Sequence, residues 1–209
     1  MQTFLVWAAL CVGAFAQFSS SGQQDIINAH NTLRSKIAKG TYVAKGTQKP
    51  AGSNIRKMKW DTSVATSAQN YANECRSSHS GVAGLGENIY YYWTSLPVTS
   101  LDKIGLKACA AWEKEFQDYG WKSNLLDMNL VKTGIGHATQ MAWADSYLVG
   151  CGVKSCGKDS KKYGLNRVVV VCQYKPQGNY LTQNIYQSGT TCSACPSGTS
   201  CEKSTGLCA

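Results

Sequence analysis

What the chain lacks narrows it before any motif is read. No apolar stretch reaches the roughly 18 to 20 residues of a membrane-crossing helix, which excludes an integral helical membrane protein. Charged residues make up only 16% of the chain against 43% hydrophobic, which excludes the charge-rich, core-poor composition of disordered proteins. Four prolines exclude a collagen-like chain. No Asn-x-Ser/Thr triplet occurs, so N-glycosylation is not expected. Histidine is scarce, with three residues, and each is therefore a candidate for chemistry. What is present is 209 residues, enough for one or two domains with a sizeable core, and a net charge of +9.

Residues Met1 to Ala16 carry no charged side chain, run apolar from Phe4 to Ala14 and end in Ala14-Phe15-Ala16. This is the pattern of a secretory signal peptide cut before Gln17. Its removal takes Cys11 away and leaves nine cysteines, an odd number, in an oxidising compartment where thiols pair. One is left over. For a secreted chain, the positive charge points to anionic glycans or membrane surfaces rather than nucleic acid.

The spacing of Ile26, His30, Leu33 and Ile37 after a capping box at Ser21 predicts a first helix over 22–39. His30 lies in its apolar stripe and reads as core. Residues 40–59 form a long basic loop, and between Asp25 and Asp61 there are eight Lys or Arg and no acid, a solvated surface. Asp61 caps a second helix with the stripe Val64, Ala68, Tyr71 and Cys75. Residues 76–100, rich in glycine and aromatics, read as irregular. A third helix runs from Leu101 to Asp118 and places Glu115 on its apolar side, where a carboxylate needs a partner or turns to solvent. Tyr147–Lys154 and Asn166–Tyr174 read as strands, the second covered on both faces by virtue of Val168 to Val171. Together these predict an α+β domain with helices on both faces of a mostly antiparallel sheet. Residues 187–209 have almost no apolar side chains and four cysteines, so crosslinks must hold them. Cys192-x-x-Cys195 also has zinc-ligand spacing, but the compartment favours disulfides.

Gly136-His137-Ala138-Thr139-Gln140-Met141-Ala142-Trp143 resembles the first signature of the CAP superfamily, the cysteine-rich secretory, antigen 5 and pathogenesis-related proteins. Val169 to Tyr180 resembles the second, and His30-Asn31, His79-Ser80 and Gly86-Glu87-Asn88-Ile89 support both. With its four-cysteine tail the chain is similar to the secreted venom-allergen-like proteins of nematodes. One departure is Ala138, where the family has a bulky aromatic.

The resemblance implies a three-layer α-β-α sandwich over 17–186, after the signal peptide 1–16, and a small disulfide-rich hinge over 187–209. It implies Cys75 with Cys156, Cys151 with Cys172, Cys192 with Cys201 and Cys195 with Cys208, out of on the order of a hundred possible pairings. Cys109 is then the odd thiol, either buried in a monomer or linking a dimer. The resemblance further implies a central tetrad of His79, Glu87, Glu115 and His137, with His79 and His137 as ligands for a divalent metal such as zinc. The plain alternative is a hydrogen-bonded polar network. No Ser, Thr or Cys is paired with a spare base, so a non-catalytic protein that binds a lipid, a sterol or fatty acid, or an extracellular protein receptor is expected. A zinc-dependent hydrolase using the tetrad is the alternative. The loop with Phe116, Tyr119 and Trp121 is the expected lipid site.

Overall fold

The computed structural model describes residues 17–209, so the expected signal peptide, 1–16, lies outside the described residues. In chain order the elements are α1 Ser20–Ala38, the short hairpin β1 Val43–Ala44 and β2 Thr47–Gln48, β3 Lys59–Trp60, α2 Thr62–Asn73, β4 Gly86–Thr94 and α3 Leu101–Asp118. There follow α4 Met128–Val131, α5 Gly136–Ala142, β5 Leu148–Asp159, β6 Leu165–Lys175 and a terminal pair, β7 Cys201–Glu202 and β8 Leu207–Cys208.

Three helices start where the sequence places a cap or close to it. Asp61 accepts the Val64 N–H and Ser100 the Lys103 N–H. The cap of α1 is Ser19 and not a box at Ser21, because the Asp102 carboxylate of α3 accepts from both the Ser19 N–H and its hydroxyl. Strands β3, β5, β6 and β4 lie in that order, with β3 parallel to β5 and the other pairs antiparallel. Along β6 the alternation splits the core in two. Val168, Val170, Cys172 and Tyr174 face α1, α3 and α5, while Val169 and Val171 face α2 with Ile89, Ala68 and Ala72. This is a three-layer α-β-α sandwich. On the α2 side the layers approach closely: a Cβ added to Gly150 would lie 2.0 Å from the Ala65 nitrogen, and one on Gly152 2.3 Å from the Gln69 Cα.

Three expectations need correction. Residues 86–94 are not irregular: they form β4, nine residues paired to β6 from Gly86↔Tyr174 to Thr94↔Asn166. The aromatic run suits a pleated surface, and its alternation places Tyr90 and Tyr92 on the main core and Tyr91 on the other face. The two later strands run on to Asp159 and from Leu165, so they form one hairpin with a register shift between Ser155 and Lys158. The basic run is not wholly solvated, because Arg34 and Lys49 are buried. The disulfide-rich tail is joined to the sandwich: the Cys208 N–H donates to Ile55, the Lys57 N–H donates to Cys208, and Leu207 is buried.

The four disulfides are Cys75–Cys156, Cys151–Cys172, Cys192–Cys201 and Cys195–Cys208. The first bolts the end of α2 to β5, and the second joins neighbours in the ladder.

Arg34 carries the densest polar anchorage in the core. It is fully buried, and its N–H groups donate to the carbonyls of Arg56, Met141, Trp143, Ala144 and Ser146. Burial lowers its pKa to about 9, so it stays charged at neutral pH. Lysine has three donors on a single nitrogen and cannot reproduce this fork. Arg34→Lys is therefore expected to lose about 3 kcal/mol through carbonyls left without donors, read as a lower urea midpoint at unchanged slope.

Candidate functional site

The four tetrad residues come together as two pairs. His79 follows α2 in an exposed loop, and its Nδ1 lies 2.9 Å from Glu87 Oε1 at the start of β4. His137 opens α5, and its Nδ1 lies 2.6 Å from Glu115 Oε1 on α3. A carboxylate partner accepts, so each imidazole carries its proton on Nδ1 and turns the Nε2 lone pair outward. Among the described residues neither Nε2 has a hydrogen-bond partner.

Both carboxylates are fully engaged. Glu87 accepts from His79, from the Ser80 N–H and, through Oε2, from the Gln173 side chain. Its side chain is only 7% exposed. Burial alone would raise its pKa, but the hydrogen bonds from Ser80, Gln173 and His79 outweigh that and hold it below the usual range. Glu115 accepts from His137 Nδ1 and from the N–H groups of His137 and Ala138. Helix α5 has no side-chain cap of its own at Ile135. Glu115 supplies that cap from a neighbouring helix, which accounts for a carboxylate on the apolar side of α3.

The pairs come from two different layers at the end of the sheet. Glu87 and its cross-strand neighbour Gln173 point to the α2 face, whereas Glu115 and His137 belong to the α3 and α5 layer. Strand β4 links them, since Asn88, beside Glu87, donates to the His137 carbonyl at 3.0 Å. Asn88 also donates to the Tyr174 hydroxyl, which bonds His30 Nε2, while His30 Nδ1 donates to Ile26. A buried chain of hydrogen bonds thus runs from α1 to the backbone of His137. Asn88 and Gln173 were not singled out from sequence, although both stand inside the quoted signatures as polar residues in otherwise apolar strands.

The cleft beside His79 measures about 230 Å³ and is bounded by Glu87, Gln140 and Gly178, and His137 does not line it. Among the described residues no three of the four tetrad groups bring donor atoms within 4.8 Å of one another. The cysteine sulfurs that do gather, those of Cys192, Cys195 and Cys208, are bound in disulfides and cannot ligate zinc as thiolates. A metal at the tetrad therefore finds at most two imidazole nitrogens, with the carboxylates in the supporting role that fixes ring orientation.

The expected lipid loop divides. Phe116 and Trp121 are buried and stacked on each other, ring centroids 4.3 Å apart, and only Tyr119, 52% exposed, faces solvent. Their contact fills the core under the loop. Cys109 is buried in the same core, and burial pushes its thiol up to about 12, so it is protonated and out of reach of a second chain. This favours the buried thiol over the linked dimer. Ala138 is fully buried too.

The family model described as "Cysteine-rich secretory protein family", CAP, matches residues 27–174. The chain belongs to the CAP family. It is 36% identical over 186 residues to cysteine-rich secretory protein 3 of Equus caballus, covering 85% of this chain and 66% of that protein. It is 36% identical over 198 residues to the Ancylostoma secreted protein of Ancylostoma caninum, covering 91% of this chain and 44% of that one. The chain thus spans about two thirds of the first relative and less than half of the second. Among solved structures, that of NaASP2 with Zn2+ superposes with a TM-score of 0.82 at 34% identity, over 92% of this chain and 97% of that one. BmVAL-1 gives 0.83 at 33% identity, over 95% and 97%.

The buried His30 sets an acid limit. Its pKa falls to about 4, chiefly through burial, from 6.5 in the unfolded chain. Between these values the unfolded state binds more protons, so stability is full above about 6.5 and is lost as pH falls toward about 4. The loss attributable to this group is about 3 kcal/mol. Urea unfolding at pH 7 and pH 4.5 is expected to show a markedly smaller pH dependence in His30→Gln than in the wild type, and equal slopes would exclude His30 as the source.

Proposed function

We propose that this is a secreted, non-catalytic binding protein whose ligand is a fatty acid. The observation that carries the non-catalytic part is the engagement of Glu87 and Glu115: a carboxylate bonded to its imidazole and to further N–H donors has no free role as a general base. Among the described residues no Ser, Thr or Cys side chain is bonded to an imidazole, so the constellation for nucleophilic attack is missing as well. Secretion is supported by the amino-terminal pattern and by relatives named as secretory and secreted proteins.

The ligand reading rests on a groove of about 640 Å³ between α1 and residues 57–60, within the usual range for small-molecule sites of roughly 300 to 1,000 Å³. Ile27, Met58 and Trp60 give it apolar walls, and Lys36, Lys57 and Lys59 stand along it. That pairing of surfaces suits an aliphatic chain with an anionic head and does not favour a sterol, whose head is neutral. A fluorescent fatty-acid titration is expected to saturate, a fluorescent-sterol titration is not, and Lys36→Glu with Lys59→Glu should weaken the fatty acid by about tenfold or more. Saturation with neither ligand would sink the lipid reading and favour an extracellular protein receptor.

A divalent metal, zinc by its fit to imidazole nitrogen, is a second ligand supported by the two free Nε2 atoms. His79 and His137 would hold it, and Glu87 and Glu115 would orient them. When bound, such an ion supplies Lewis acidity and a bridge to an anionic ligand. Calorimetric titration with Zn2+ is expected to show weak binding that His79→Ala abolishes and Glu87→Gln reduces about 10- to 100-fold. Peptide and ester hydrolysis with zinc present should be equal in wild type and Glu87→Gln, and a rate lost in the variant would favour the hydrolase.

A further inference from the structure

The hairpin between β5 and β6 ends in a tip that the binding reading does not use. Between Gly157 and Gly164 the tip presents Lys158, Lys161 and Lys162, all exposed, against one acid, Asp159. That acid is turned inward: Oδ2 accepts from the Trp93 indole N–H and Oδ1 from the Lys161 N–H. At the apex stands Tyr163, whose backbone is left-handed at φ 54 and whose side chain is 99% exposed. A bulky residue seldom adopts that conformation, and glycine or asparagine would hold the turn without strain. Nothing in the fold compensates, since the ring packs on nothing. Leu96, 69% exposed, flanks the same end of the sheet, its carbonyl beside the Asn166 side chain. Trp93 lies under the tip with Lys162 Nζ over its ring, 5.4 Å from the centroid.

We propose that this tip docks the protein on an anionic phospholipid surface, with Tyr163 and Leu96 entering the headgroup region and Lys158, Lys161 and Lys162 facing the lipid charge. The combination selects this partner. Clustered lysines alone would suit any polyanion, but a tyrosine and a leucine held out into water beside them match an interface that is charged outside and apolar within. The chain's charge of +9 draws it toward such a surface from a distance. Docking at the tip leaves the groove along α1 and both imidazole pairs untouched, so the proposal does not depend on the ligand assigned above.

The test is co-flotation of the secreted form, residues 17–209, with phosphatidylcholine vesicles and with vesicles containing about 30% phosphatidylserine, at low and high salt. Binding is expected only to the anionic vesicles and is expected to fall steeply with salt. Replacing Lys158, Lys161 and Lys162 by alanine should lower partitioning about a hundredfold, on about 1 kcal/mol per lysine. Tyr163→Gly is the sharper variant because two readouts should move in opposite directions. It should weaken vesicle binding several-fold while leaving the unfolding midpoint unchanged or raised, since it relieves the left-handed backbone. Fatty-acid saturation in both variants should match the wild type, which separates failure of the docking surface from failure of the groove. Vesicle binding by both variants equal to that of the wild type would overturn the proposal, as would retention on immobilised heparin with no binding to anionic vesicles.

Discussion

The guanidinium of Arg34 lies in the core without an acidic partner among the described residues, and its charge is met by backbone carbonyls instead. Those carbonyls belong to the end of α5, to the segment running from it into β5, and to the strand-like stretch before β3. One side chain from α1 thereby fixes where two separate stretches of chain, around Arg56 and over Met141 to Ser146, must lie. Helix α5 is short, and both of its ends are held from outside: Glu115 of α3 takes up its first N–H groups, and Arg34 takes its last carbonyls. His137 rides on this clamped segment. Its position follows from two ionic side chains on two other helices, with its ring stacked on Trp112.

The same economy of charge governs the tetrad. Glu87 and Glu115 each hold an imidazole and a stretch of backbone at once. Glu87 ties the exposed loop at His79 to β4 and β6, while Glu115 ties α3 to α5. Such saturation gives rigid rings with outward lone pairs, an arrangement for presenting nitrogen and poor for moving protons. The CAP family membership and the superpositions on NaASP2 and BmVAL-1 place this scaffold in a group whose framework holds over nearly the whole chain.

Much of the framework could be read from residue order. The three long helices announced themselves through apolar spacing and caps, and the valine run on β6 through its lack of alternation. The disulfide pairing came from family resemblance, because spacing does not distinguish one partner from another. Strand β4 was obscured by glycines before it and by aromatics that also populate loops, and its partner β6 lies about eighty residues away. Glu115 could be seen to be anomalous on α3, but its role depends on the N-terminus of a helix that sequence leaves unplaced. Phe116 and Trp121 show the reverse error. Local aromatic density looks alike whether rings line a site or stack under a loop, and only the tertiary contact at 4.3 Å separates the two.

Cys109 has a meaning for the history of the chain as well as for its final state. In the native fold it is sealed and protonated, so it takes no part in sulfur chemistry. Before the fold exists it is an ordinary thiol, indistinguishable from the eight that must pair. Among the described residues it is a ninth competitor, which multiplies the wrong connections available about ninefold. The chain avoids them to the extent that α3 meets α1 and the sheet before oxidation is complete, because that contact removes the decoy from solution. Correct pairing is in this sense a race between the burial of one sulfur and the oxidation of the others.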